Sequence, residues 1–174
     1  MTERMTVAEF LAMPGDTSHL ELQDGQVVQR GVWLARQCRV ANGLAALLRG
    51  VSRGRFEVYI KVPFRALPEY ELRDADVAAV TPERWAEALA QDAVAGAPDL
   101  VAEVLSPTRG LVDLLQYERL CLANGCREFW WVDTRANEVR VTTADGVRIY
   151  RAGMEIPVVI LDGERIAVDA IFAR

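Results

Sequence analysis

Apolar and polar positions along this chain follow two periods that alternate. From Trp33 to Leu48 the residues Trp33, Gln37, Val40, Ala41, Leu44, Leu47 and Leu48 fall on one helical stripe, which predicts an amphipathic helix with Arg36 and Arg39 facing away from it. Gly43 sits inside that stretch and costs about 1 kcal/mol against alanine. A shorter helix is expected from Thr6 to Met13. Thr6 can cap it, Glu9 completes a capping box, and Pro14-Gly15 stops it. Pro82 opens a further helix through Ala90, and Leu111 to Ala123 forms another that Asn124-Gly125 ends.

Between the helices the period drops to two. Phe56 to Val62 alternates as a strand, and Pro63 and Pro68 then mark a loop. Val77 to Val80 and Leu100 to Leu105 are short apolar runs, the second interrupted by Glu103 and ended by Pro107. Glu128 to Val132 is aromatic and β-rich. Hairpins are expected around Asp24-Gly25, within Leu20 to Gln29, and around Asp145-Gly146, between Asn137 to Thr143 and Val147 to Tyr150. A last one joins Ile156 to Leu161 and Arg165 to Val168 through Asp162-Gly163. Strand, helix, strand, helix, strand and then hairpins predict an α/β chain with a mixed sheet flanked by helices.

Composition narrows the picture. The 174 residues suit one domain over 1–174, at 51% hydrophobic and 26% charged. No apolar run reaches a membrane span, and the first ten residues have no signal-peptide core, so a cytoplasmic protein is expected. Cys38, Cys121 and Cys126 form neither a disulfide framework nor a zinc motif. His19 is the only histidine, which excludes histidine-rich metal sites. The net charge of −5 is unevenly spread: residues 30–65 carry eight basic side chains and one acid, net +7, against −12 elsewhere. That stretch reads either as a phosphate-binding patch, with Arg36, Arg39, Arg53 and Arg55 as DNA contacts, or as a solvated basic face.

Three carboxylates stand where strands should bury apolar groups: Asp76 in RDADVAAV, Glu103 in PDLVAEVLSP and Glu21 in HLELQDG. Burying a carboxylate is costly unless it is paired or bound to a metal. Two of them 4 Å apart repel by about 4 kcal/mol at an effective dielectric near 20. All-oxygen ligation favours Mg²⁺ or Mn²⁺. The alternative is structural, with Asp76 capping a turn and Glu103 pairing with an arginine. Ser106 turns the loop after its strand more readily than it acts as a nucleophile, and Trp130 and Trp131 divide by alternation into one core and one surface ring.

The segments MTVAEFLAMP, HLELQDGQVV, ADVAAV, GAPDLVAEVLSPT and NGCREFWWVD, in this order, resemble the Uma-two family, whose members are assigned as restriction endonucleases from a PD-(D/E)xK-like fold. The resemblance runs from about Thr6 to Phe172. It implies a restriction-endonuclease-like core with N- and C-terminal β-hairpins, and a Mg²⁺- or Mn²⁺-dependent cut in DNA. It also implies metal ligation by Asp76 and Glu103, with Glu21 as a third site residue. The family's lysine, four residues after the position of Asp113, is Tyr117 here. A neutral tyrosine cannot supply that charge at pH 7. Lys61, the only lysine of the chain, is the possible substitute, with Arg109 or Arg119 as fixed charges. The competing expectations are an inactive relative that binds nucleic acid or protein, and a scaffold that works as a homodimer.

Overall fold

The computed structural model describes residues 4–106 and 110–173. A seven-stranded mixed sheet, in the order β5-β3-β4-β6-β7-β8-β9, organises the chain. Its strands are β3 (Glu57–Arg65), β4 (Arg73–Val80), β5 (Val94–Ala95), β6 (Leu100–Val104), β7 (Glu128–Asp133), β8 (Glu138–Thr143) and β9 (Gly146–Tyr150). Among the described residues the parallel pairs are β3 with β5 and β6 with β7. The β6–β7 crossover is made by α4 (Leu111–Ala123), as parallel neighbours require.

Two helical layers cover the sheet. On one face lie α2 (Ala35–Ser52) and α5 (Val168–Phe172), together with the hairpin β10 (Glu155–Pro157) and β11 (Arg165–Ala167). On the other lie α3 (Pro82–Gln91) and α4. Thr81 accepts a hydrogen bond from the Arg84 amide to start α3, with Pro82 in the first turn. The hairpin β1 (Leu20–Gln23) and β2 (Gln26–Gln29) turns at Asp24 and Gly25, both at positive φ. It docks beside β4 through reciprocal Leu22–Leu72 backbone bonds of 3.0 Å. Helix α1 (Val7–Leu11) carries the expected Thr6–Glu9 capping box.

Several sequence expectations need correction. Trp33 precedes α2 rather than belonging to it, and α2 runs on to Ser52 before Arg53 turns left-handed and ends it. β3 continues through Pro63, which pairs with Asp74. Proline is tolerated there because the outer side of β3 is paired only at Phe64 and Arg65. The last hairpin is shorter than expected: β10 ends at Pro157, and Val168 opens α5 instead of closing a strand. Pro107, expected to end β6, lies outside the described residues. No described helix is long and apolar enough to cross a membrane.

Glu128 fastens the closing segment to the sheet. Its carboxylate is fully buried and accepts from the Ile160 amide and from Trp130 Nε1, both at 2.9 Å. Burial pushes its pKa above the ordinary carboxylate value, against the lowering effect of those hydrogen bonds. The folded state therefore favours the neutral carboxyl. That contribution to stability is complete below the unfolded pKa and is lost as pH rises through the folded one. Replacement by glutamine leaves one donor without an acceptor, at a cost of about 1–3 kcal/mol. We expect Glu128→Gln to melt lower at every pH, but with a smaller fall in stability on raising the pH from 4 to 7 than the native chain. Parallel slopes in urea titrations across that range would count against this account.

Candidate active-site cleft

The ladder between β4 and β6 stops at Val77↔Ala102. The next pair would be Asp76 opposite Glu103, and there the side chains replace the ladder. The Val104 amide donates to Asp76 Oδ2 at 3.0 Å, and the Asp76 amide donates to Glu103 Oε1 at 3.1 Å. Each carboxylate thus satisfies the other strand's backbone, which lets the strands part without orphaning their N–H groups. Both side chains are buried, Asp76 at 6% and Glu103 at 3% exposure.

Asp76 has two further donors on its other oxygen. Lys61 Nζ approaches Oδ1 at 2.6 Å and Trp33 Nε1 at 3.1 Å. Lys61 stands opposite Asp76 in the β3–β4 register, but its φ of 52° breaks the pairing at that one position. The effect on the sheet is large. Val58 and Ile60 belong to the α2 side, whereas Val62 and Phe64 belong to the α4 side, although simple alternation would keep all four together. β4 shows the same change: Val77 and Ala79 face α2, while Ala75 packs with the α4 side. The two strands switch faces at the Lys61–Asp76 pair, and the switch turns both side chains into a cleft.

That cleft has a volume of about 360 Å³. Among its described lining residues are Glu21, Asp74, Asp76, Glu103 and Asp113, set against Arg30, Lys61 and Arg73. Glu21 occupies the end beneath the first hairpin. It accepts from Gln23 Nε2 at 3.0 Å and from the Asp74 amide at 3.3 Å, and Arg30 Nε stands 3.5 Å away. Arg30 also pairs with Asp74. Burial raises the Asp74 pKa, while the Arg30 charge opposes that rise. Asp74, Arg30, Arg73 and Trp33 are among the cleft residues that the sequence pattern did not expose. Asp74 and Asp76 stand two apart in RDADVAAV, the spacing of one strand face. Arg30 and Trp33 carry no such signal.

The sequence-derived site residues separate into two groups. Glu21, Asp76, Glu103 and Lys61 meet in the cleft, with Ser106 beside them. Tyr117 does not line it. At 1% exposure it is wedged on the α4 side between Phe64 and Phe129, ring centroids 5.9 and 5.6 Å away, and its hydroxyl donates to the Asp74 carbonyl at 3.1 Å. Arg109 lies outside the described residues, and Arg119 does not line the cleft. The four candidate DNA-contacting arginines do not form one patch. Arg36 and Arg39 sit in the first turns of α2, while Arg53 and Arg55 lie past its far end, beside Glu164. The span is about 25 Å at 1.5 Å per residue. Trp130 is core and Trp131 half-buried, as alternation implies.

Among the described residues no three His, Cys, Asp or Glu side chains form a ready metal cage. The donor set nevertheless fits a hard divalent cation. Mg²⁺ needs only one or two protein carboxylates and takes its other ligands from water and phosphate. Asp76 and Glu103 provide that pair, linked through one backbone amide.

A family model described as "Putative restriction endonuclease" matches residues 7–168. No curated protein matches the sequence. A crystal structure described as a "putative nuclease" from Anabaena variabilis superposes with a TM-score of 0.81, covering 97% of this chain and 98% of that one at 17% identity. At that identity the likeness speaks for the fold.

The left-handed backbone at Lys61 gives a stability test independent of chemistry. In an ordinary strand glycine is less stable than alanine. At this φ the order reverses, because alanine keeps a Cβ that the left-handed region penalises by about 1–2 kcal/mol. Lys61→Gly is therefore expected to be about 1 kcal/mol more stable than Lys61→Ala in denaturant titrations. The usual strand order would mean that Lys61 does not hold this conformation.

Proposed function

The chain belongs to the Uma2 family, and we propose that its cleft is the active site of a divalent-cation-dependent endonuclease that hydrolyses DNA phosphodiester bonds. The supporting observation is the meeting of Asp76, Glu103 and Lys61 at the point where β4 and β6 part. Among the described lining residues five carboxylates stand against three cations, and an acidic cleft repels a phosphodiester. A divalent cation on Asp76 and Glu103 removes that objection. When bound, Mg²⁺ or Mn²⁺ would supply an activated water and a counter-charge for the phosphate.

The chain's own groups do the rest. Asp76 and Glu103 would hold the cation, since each carboxylate is already fixed to the other's strand. Lys61 supplies the positive charge that position 117 cannot. Its ammonium is on Asp76 Oδ1 at 2.6 Å and a third of its side chain is exposed toward the cleft. From there it can bind the scissile phosphate or the attacking water. Arg36 and Arg39, at the end of α2 nearest the cleft, donate to neutral oxygens, of Asn137 and Ala173, and are suited to the flanking phosphates, whereas the Glu164 carboxylate engages Arg53 and Arg55.

Nicking of plasmid DNA in Mg²⁺ or Mn²⁺ tests the reading. Asp76→Ala and Glu103→Ala are expected to abolish it. Lys61→Met should lower it about a hundredfold or more, the usual loss when a transition-state donor is removed. No metal-dependent nicking by the native chain on single- or double-stranded DNA would overturn the proposal. Salt-sensitive DNA binding without cleavage would then favour a binding module.

Position 117 gives a second test. A lysine there would replace the aromatic ring between Phe64 and Phe129 with an aliphatic stem and bury an ammonium near the Asp74 carbonyl. Tyr117→Lys is expected to destabilise the chain by about 3–4 kcal/mol and not to raise the cleavage rate. A faster, equally stable variant would show that the missing family lysine, and not Lys61, governs the chemistry.

A further inference from the structure

Trp33 touches two groups at once. Its Nε1 donates to Asp76 Oδ1 at 3.1 Å, and its ring lies 3.7 Å from Lys61 Nζ. That ammonium donates to the same Oδ1 at 2.6 Å. Carboxylate, ammonium and indole therefore close a triangle in which each member contacts the other two. The indole comes from neither strand. It sits on the approach to α2, which Gln37 fixes: Gln37 Oε1 accepts from the Leu34 amide at 3.0 Å, and its Nε2 donates to the Leu105 carbonyl at 3.3 Å. Gln37 is buried, so this clamp ties the start of α2 to the segment just after Glu103.

We infer that Trp33 is the positioning residue of the cleft, an inference that rests on the roles proposed for Asp76 and Lys61. Its N–H sets the direction in which the Asp76 carboxylate faces, and its π face keeps the Lys61 ammonium beside that carboxylate. A tryptophan that merely filled space would need neither an aligned N–H nor a cation over its ring. The N–H selects one rotamer of Asp76 and leaves Glu103 to complete an oxygen pair. The ring restrains a side chain with four rotatable bonds, which otherwise ranges through solvent.

Because Lys61 is the only lysine, the full chain labelled with carbon-13 at the lysine ε-methylene gives one lysine signal. Ring current from Trp33 should shift it upfield. Trp33→Phe keeps a π face and deletes the N–H. The methylene should stay upfield, while Mn²⁺ affinity, measured by calorimetry, should fall about tenfold or more, as when the outer hydrogen bond to a metal ligand is removed. Trp33→Leu removes both contacts and should lose the shift as well. Asp76→Asn, which leaves the ring in place, should keep the methylene upfield. Unchanged Mn²⁺ affinity in Trp33→Phe, or a methylene signal that is the same in Trp33→Leu as in the native chain, overturns the inference. So does collapse of the shift in Asp76→Asn, since the carboxylate would then be holding the lysine alone. If the native chain binds Mn²⁺ and cuts no DNA, the nuclease reading fails and the role of Trp33 stands on these measurements. If it binds no Mn²⁺, the nuclease reading fails and the lysine signal alone decides the inference.

Discussion

The structure turns on the exchange between Asp76 and Glu103, in which each carboxylate accepts a backbone amide of the other's strand where the ladder stops. A ladder can end inside a protein only if its last donors find acceptors. Here the acceptors are acidic, and the opening they create is lined by the same oxygens that the proposed chemistry would use. The structural and the proposed functional explanations of these two residues are therefore one explanation. Removing either carboxylate would leave a buried amide without its acceptor, so the cleft's chemistry and its architecture stand on the same atoms.

The face switch at Lys61 follows from that opening. An extended strand presents alternate residues to alternate faces, and β3 must serve the α2 layer at Val58 and the α4 layer at Phe64 with side chains that alternation would place together. One residue at positive φ makes the change in a single step. The strain is local and is offset by the ion pair with Asp76 and by the indole face. Lysine is an uncommon occupant of left-handed space. Its presence there, with its charge aimed at a buried carboxylate, fits the tendency of backbone strain to gather at working sites.

Much of the fold was legible because its punctuation is local. The Asp24-Gly25 turn, the Asn124-Gly125 stop, the Thr6–Glu9 capping box and the Pro82 start act through the nearest few residues, and all take the expected form. The three acidic interruptions were legible as candidate site residues because a charge inside an apolar run is a local contradiction, and all three line the cleft. What was not legible depends on neighbours distant in sequence. Trp33 shares the helical spacing of α2 yet points to Asp76, forty-three residues on. Pro63 reads as a strand breaker until the thinly paired edge of β3 is seen. The arginines of residues 30–65 look like one patch only while the 18-residue helix between them is left out of account. Glu128 looks like a strand-end surface residue, because nothing near it in sequence announces the Ile160 amide above.

Tyr117 and Lys61 lie on opposite sides of the sheet's turning point and answer to different neighbours. The fit of the tyrosine is judged by Phe64 and Phe129, and that of the lysine by Asp76 and Trp33. Packing and charge are thus held at separate positions, one on a helix and one on a strand. A change at 117 is felt first by the α4-side core and a change at 61 first by the cleft, so the two layers of the molecule can be probed one at a time.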